Sequence, residues 1–300
     1  KLMNGVMSKI KIPFPSLQEQ QKIADCLSSL DDLITAENEE LAELKAHKKG
    51  LMQNLFPNRL NCDLCDDMIT MIKDKNHSLS KNQINHSPDN LPKLRFKEFE
   101  NSGEWESTQL KEVITIFQGF AFSSNDSVNV GIRWLKIADV SIQKMNHNTP
   151  SFLPNNYKDM YKSFLVKKGE YVIALTRPIL NKELKLAKVD SIFHEALLNQ
   201  RVGKLVSNKS IDFVYYLLQT SSLITTIEKN IAGSEPPNLS AQQIESIEVC
   251  IPKTKEEQQK IADCLSSVDD LITAQSKKIE ALKEHKKGLM QGLFPKMSAL

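Results

Sequence analysis

Residues 19–57 of this chain return at 257–295 with a constant offset of 238, and 29 of the 39 positions are identical. EQQKIADCLSSLDDLITA comes back as EQQKIADCLSSVDDLITA and LKAHKKGLMQNLFP as LKEHKKGLMQGLFP, whereas all seven residues between them, 37–43, differ. Two copies of one element face the same burial problem with the same side chains. Any fold for the chain must therefore be built around the pair and must accommodate the roughly 200 residues inserted between the copies.

Each copy reads as one long helix. Ile23, Leu27, Leu30, Ile34, Glu37, Leu41, Leu44, Lys48, Leu51 and Leu55 follow alternating steps of four and three. Ile261, Leu265, Val268, Ile272, Ile279 and Leu282 belong to the same ladder in the second copy, which runs to Leu293. A sustained 3.5-residue period is the narrow seam of a coiled coil, not the broader stripe of a helix lying on a globular core. Ser16 to Glu19 and Thr254 to Glu257 have the spacing of a capping box, with Pro15 and Pro252 just ahead. Thirty-three residues of helix make a rod roughly 50 Å long. The divergent centre indicates how the rods pair, because Glu39-Glu40 is replaced by Lys277-Lys278. If the rods run antiparallel about a pseudo-twofold axis these midpoints meet. Glu40 and Lys278 then face each other at heptad g positions, where opposite charges favour copy one with copy two over self-pairing.

The first part of the insertion, 58–90, is poor in aromatics and rich in Asn, Asp, Lys and Ser, and reads as a linker with one short helix around 66–73. Its Cys62 and Cys65 form a C-x-x-C, but the spacing to His77 and His86 misses the zinc-finger pattern and no second C-x-x-C follows, so no metal site is assigned. Cys26 and Cys264 are repeat equivalents and read as small core residues; with five cysteines in all, no disulfide is expected. From 91 to 252 the pattern changes to short apolar runs broken by Gly, Pro and Asn. VITIFQGFAF, GIRWLKIADVSI, GEYVIALT, VGKLV and SIEVCIP read as strands and 211–227 as a helix, which together make a mixed α/β domain. The expected fold class is α+β: 1–15 as the terminal strand of an incomplete first domain, 16–57 as the first rod, 58–90 as linker, 91–252 as the globular domain, 254–295 as the second rod and 296–300 as a tail.

The net charge of +2 averages over a strong asymmetry. Residues 94–130 hold three basic and six acidic side chains (3 − 6 = −3), 131–209 hold fourteen and six (14 − 6 = +8), and 210–250 hold one and five (1 − 5 = −4). A basic block of this kind suits phosphate neutralisation, which releases condensed counterions from nucleic acid.

The doubled IPFPSLQEQQKIA and IPKTKEEQQKIA, each leading into a helix that ends KKGLMQ-x-LFP, resemble the conserved regions of type I restriction-modification specificity (S) subunits. PKLRFKEFENSGEWESTQLKEV at 92–113, LLNQRVGKL at 197–205 and GSEPPNLSAQQIESIEVCIP at 233–252 are similar to parts of that family's target-recognition domain. The resemblance implies two recognition domains, each reading half of a split double-stranded DNA site and held apart by an antiparallel helical pair. It implies modification subunits that methylate adenine with S-adenosylmethionine, and restriction subunits that use ATP and Mg. Those cofactors belong to the partners, and none is expected on this chain. Only one complete recognition domain is present in the sequence, so a truncated or split subunit is expected, one that reads a half-site unaided or takes a second S chain to supply the other. A coiled-coil interaction scaffold that no longer reads DNA is the alternative.

Catalytic motifs of the partners are absent. Glu235-Pro236-Pro237-Asn238 fails the [Asn/Asp]-Pro-Pro-aromatic pattern at both ends, Gly203-Lys204 lacks the rest of a phosphate-binding loop, and Glu183 with Lys185 lacks a metal-binding partner after Pro178. A non-enzymatic recognition chain is therefore expected. Candidate DNA-reading residues are Arg177, Lys182, Lys185, Gln200 and Arg201 in the basic stretch, with Gln118 and Ser123 flanking GFAF, because Arg and Gln can pair bidentately with guanine and adenine edges. Phe120, Trp134 and Phe152 read as core, and the repeat-equivalent His47 and His285 as helix-surface residues. No run of eighteen apolar residues and no secretory leader is seen, which points to a cytoplasmic protein without a membrane partner.

Overall fold

A computed structural model of the chain describes residues 15–57, 90–232 and 236–294; residues 58–89 of the linker expected at 58–90, with its C-x-x-C, residues 1–14 of the terminal strand expected at 1–15, and the tail lie outside the described residues. In chain order the elements are α1 (Leu17–Leu55), β1 (Glu106–Gln109), β2 (Thr115–Gln118), β3 (Ile132–Leu135), β4 (Phe152–Leu153), α2 (Tyr157–Met160), β5 (Tyr171–Ala174), β6 (Ile179–Leu180), β7 (Glu183–Leu184), β8 (Leu186–Lys188), β9 (Leu197–Leu198), β10 (Val202–Val206), α3 (Ile211–Leu217), α4 (Ser221–Ile231), α5 (Ala241–Glu245), β11 (Glu248–Ile251) and α6 (Lys255–Leu293). They form two compact units, one of 15–49 with 266–294 and one of 50–57, 90–232 and 236–265.

The first unit is an antiparallel helical pair. Along α1 burial follows the heptad ladder: Ile23, Leu27, Leu30, Ile34, Leu41 and Leu44 are half-buried and Glu37 and Lys48 are buried, between exposed residues. In α6 Val268 and Ile279 are buried, and Ile272 and Leu282 half-buried. Lys48 Nζ meets Asp269 at 2.6 Å, and Lys286 meets Asp31. Adding the repeat offset of 238 to 31 and 48 gives 269 and 286, so these are one bridge made twice by a pseudo-twofold axis.

At that axis Glu37 and its counterpart Gln275, each 7% exposed, lie against one another. The Gln275 amide donates to the Glu37 carboxylate at 2.7 Å and to the Glu37 carbonyl at 3.0 Å. Lys278 reaches Glu37 at 2.7 Å, and the symmetry-related contact runs from Gln275 to Glu40 at 3.1 Å. The expected direct pairing of Glu40 with Lys278 is thus corrected. The seam position 37 buries a carboxylate that needs a cation, whereas Glu40 is exposed and takes only the Gln275 amide. The Lys278 ammonium and the Gln275 amide hold the Glu37 carboxyl below its ordinary range, and Glu37 in turn raises the proton affinity of Lys278.

Because the folded pKa of Glu37 is depressed, its contribution to stability is complete above the unfolded value of about 4.3 and disappears as pH falls through the lower folded value. The contribution of Lys278 is complete below about 10.4 and disappears as pH rises through its raised folded value. Thermal melting followed as a function of pH should therefore show E37Q with a flatter acid limb than the unsubstituted chain; parallel acid limbs would show that the contact is energetically silent.

The second unit is α+β. β2, β10, β5 and β8 form a four-stranded antiparallel sheet in that order, β4, β3 and β9 a three-stranded one, and β1 pairs with β11 and β6 with β7. The central strand β5 is buried at every position, which explains its unbroken apolar sequence YVIA. The expected helix over 211–227 is two helices: the Thr220 hydroxyl donates to the Leu217 carbonyl at 2.8 Å and ends the first turn run before α4 begins. The ends of both rods enter this unit's core. Leu55, Phe56, Ile261 and Leu265 are buried in one cluster with Trp105 and Phe213, and the Phe56 ring lies 5.5 Å from Phe213 and 6.4 Å from Trp105. Ile261 and Leu265 are therefore core residues of the globular unit rather than coiled-coil residues. They have the heptad spacing, but a sheet and α3 supply the apolar surface that covers them.

Glu257 anchors this junction. It is 1% exposed, and its two oxygens accept from Arg95 Nε at 2.7 Å, Arg95 Nη2 at 2.8 Å and Trp105 Nε1 at 3.0 Å. The hydroxyl half of the expected capping box is present, with the Glu257 amide donating to Thr254 Oγ1 at 3.3 Å, but the carboxylate serves Arg95 and Trp105 instead of the helix end. Removing one member of a buried, hydrogen-bonded ion pair costs about 3–5 kcal/mol. Chemical denaturation of E257A should show a loss of that order, and a loss under about 1 kcal/mol, as for an exposed pair, would contradict the role given to it.

Candidate nucleic-acid interface

The alternating strand directions of the four-stranded sheet bring several predicted residues to one edge. β2 ends at Gln118, β10 begins just after Gln200 and Arg201, β5 ends just before Thr176 and Arg177, and β8 begins just after Lys185. Antiparallel pairing puts these ends side by side, as Gly203 opposite Gln118 and Val202 opposite Ala174 record. Main-chain bonds complete the edge: Gly119 donates to Val202 at 3.1 Å, Leu175 to Arg201 at 2.9 Å and Ala174 to Lys185 at 3.0 Å. Gly119 has to be glycine, since a Cβ there would sit 2.2 Å from the Leu198 carbonyl oxygen. That close approach lets the Phe120 amide donate to Leu198 and the Gln200 amide to Phe120, both at 2.9 Å.

A two-residue hairpin, β6–β7, projects between Arg177 and Lys185. Its turn residues Asn181 and Lys182 have φ of 52° and 60°, the left-handed pair that a type I′ turn requires and that matches the twist of the strands. Arg177 is also left-handed, with φ of 48°. Its backbone is fixed from outside: the Arg177 amide donates to Pro237 at 2.7 Å, Leu239 donates to Leu175 at 2.8 Å, and Thr176 Oγ1 donates to Asn238 Oδ1 at 2.8 Å.

Of the fourteen basic side chains in 131–209, four are ion-paired and ten have no ion-pair partner among the described residues, and four of those ten are carried by the strand ends and the hairpin. Arg133 meets Asp139, Lys158 meets Glu195, Lys188 meets Asp212 and Lys204 meets Glu170, so these charges are neutralised at home. Arg177, Lys182, Lys185 and Arg201 have no ion-pair partner among the described residues. Arg177, Lys182 and Arg201 are exposed, and Lys185 is half-buried. Burial lowers the Lys185 pKa, and the neighbouring Arg177 charge lowers it further. Gln200 is exposed. Gln118 is a brace in this state, its amide donating to the Gln200 carbonyl at 2.6 Å. Ser123 lies apart from the strand ends, and its hydroxyl accepts from the Asn125 amide at 3.2 Å to open a short turn.

Trp134 is 3% exposed, as expected of core, and Phe152 is half-buried. Phe120 is 37% exposed and lies at the rim of an aromatic cluster, 4.7 Å from Tyr161 and 5.0 Å from Phe122. His47 and His285 are exposed on their helices. Pro237 and Asn238, considered in the sequence only as a failed catalytic motif, are the residues that hold Thr176 and Arg177 in place. The tandem prolines were the available signal, because they fix an extended backbone whose carbonyls are free to accept. Among the described residues no three His, Cys, Asp or Glu side chains cluster to hold a metal, and no helix is long and apolar enough to cross a membrane.

The chain is similar to known proteins in both sequence and fold. The family model for the type I restriction modification DNA specificity domain matches residues 1–46 and 102–284. The MjaVIII type I restriction enzyme specificity subunit of Methanocaldococcus jannaschii is 31% identical over 292 residues, covering 96% of this chain and 62% of the relative. The EcoAI specificity subunit of Escherichia coli is 26% identical over 317 residues, covering 87% of this chain and 53% of the relative. The crystal structure of a type I restriction-modification S subunit from M. genitalium superposes with a TM-score of 0.55 at 16% identity, over 99% of this chain and 66% of that one, and supports the fold. The chain thus spans between about half and two thirds of the length of these relatives. Since the family model covers well over half of its residues, the chain belongs to the type I restriction-modification DNA specificity family.

Proposed function

We propose that this chain is a DNA-reading subunit that binds one half of a bipartite duplex site through the sheet edge described above and docks modification subunits, leaving methylation and cleavage to its partners. The observation that carries this reading is the convergence of Arg177, Lys185 and Arg201, none with an ion-pair partner among the described residues, and of Gln118 and Gln200 at one edge of one sheet, with Lys182 on the turn of the β6–β7 hairpin beside it. Cations of this kind supply the salt-dependent affinity for phosphates, and Arg and Gln supply donor and acceptor pairs suited to base edges. Fluorescence anisotropy against a randomised duplex pool, with sequencing of the bound fraction, tests it. A short enriched half-site is expected. Binding that is blind to sequence and vanishes with salt would favour the scaffold alternative.

The same reading extends to a second recognition domain. Glu257 is buried against Arg95 and Trp105, but its repeat equivalent Glu19 is exposed; Leu55 and Phe56 are buried at 1% and 4%, but their equivalents Leu293 and Phe294 are 37% and 51% exposed. Near-identical sequences are thus covered in one setting and open in the other, and the open set matches the chemistry of a second Arg, Trp and Phe cradle. The paired cysteines report on this directly. Cys26 is exposed, while Cys264 is half-buried and its thiol is pushed up by burial. Timed alkylation read by mass spectrometry should modify Cys26 several-fold faster than Cys264 despite identical flanking residues. Equal rates would remove the asymmetry on which the second docking surface rests.

A further inference from the structure

Arg177 combines three properties that are not explained by folding. It is exposed, it has no ion-pair partner among the described residues, and it adopts a left-handed backbone at φ of 48° that an arginine adopts only at a steric cost. Such strain persists where surrounding structure over-determines it, and it concentrates at ligand-holding positions. Here Pro237, Thr176 with Asn238, and the Leu175 to Arg201 bond hold the segment from three sides. On the other side of the β6–β7 hairpin the Lys185 amide donates to the Pro178 carbonyl at 2.7 Å, which fixes Lys185 beside the same corner. Two like charges are thereby kept together, one of them half-buried, with Glu183 the nearby acid in the hairpin left exposed and unbonded to either.

We propose that Arg177 and Lys185 form a two-pronged clamp for a single backbone phosphate of the bound duplex, so that they fix the register of the recognition domain without reading sequence, which falls to Gln200 and Arg201. This rests on the duplex-binding reading above. A phosphate relieves the mutual repulsion of the two cations, and the fork of Arg177 offers paired donors where Lys185 offers a point charge. Contacts of this class position a protein on DNA and carry no base information.

Anisotropy of the full chain with its selected duplex, measured over a series of salt concentrations, tests the clamp with R177G, R177Q, K185M and the R177G/K185M double variant. Each single variant should bind more weakly while the slope of log affinity against log salt changes little, because the remaining cation still neutralises the phosphate. The double variant should flatten it by about 0.9, the value for one phosphate, and not by twice as much, because one phosphate is shared, and the enriched sequence should be unchanged. R177G should also melt no lower than the unsubstituted chain, since glycine accepts that φ freely; R177Q repeats the binding test without altering backbone freedom. An unchanged slope in the double variant, a flattening of about 0.9 in each single variant that doubles in the double variant, or a loss confined to one base position overturns the clamp while duplex binding by the unsubstituted chain keeps the parent reading. Failure of the unsubstituted chain to bind any duplex overturns both.

Discussion

The carboxylate of Glu257 is where the globular unit is fastened together. A buried charge is tolerated only when its lone pairs are occupied, and three donors from Arg95 and Trp105 occupy them, with Arg95 itself tied to the Gly103 carbonyl at 2.7 Å. The start of α6 is thereby joined to a segment about 150 residues earlier in the chain. Around that ion lie Phe56, Trp105, Phe213, Ile261 and Leu265, so the polar anchor sets the geometry and the apolar cluster supplies the burial. The first and last residues of the inserted domain are held by one core. The sheet that carries the candidate interface is built on it, with α5 linking them: the Ile116 amide in β2 donates to Glu245 at 3.1 Å.

The helical pair solves a different problem with related chemistry. Its seam admits Glu37, Gln275 and Lys48, each of which would be costly in an apolar layer, and each meets a partner from the other helix. Because Glu37 and Gln275 occupy the same repeat position, a pair of first copies would oppose two carboxylates at the axis and lose the Lys278 contact. The divergence of residues 37–43 thus falls where two otherwise interchangeable helices can be told apart.

The long helices and their antiparallel order were legible because heptad spacing and a charge reversal are local, periodic signals. The detail at the centre was not: whether Lys278 meets Glu40 or Glu37 turns on less than one helical turn of stagger, and burial of the carboxylate decides it. The fate of Ile261 and Leu265 was hidden for a plainer reason. Their equivalents Ile23 and Leu27 have the same neighbours in sequence but are only half-buried, so the difference comes from α3 and Trp105, remote in the chain. The basic stretch was visible as composition, and five of the seven candidate reading residues reach one sheet edge, with Lys182 on the neighbouring hairpin turn and Ser123 on neither. Which lysines of that stretch remain unneutralised depended on Glu170, Glu195 and Asp212, acids whose positions only the folded topology reveals.

At the sheet edge, position is set by main-chain bonds: Gly119 to Val202, Leu175 to Arg201, Ala174 to Lys185 and Arg177 to Pro237. The exposed side chains of Arg177, Lys182, Gln200 and Arg201 hang from this frame and take no part in holding it. Such an edge behaves like a type tray. Individual characters can be exchanged by point substitution while the tray keeps its shape, so that, on the proposed duplex-reading function, a lineage can acquire a new recognition sequence in single steps without passing through an unfolded intermediate.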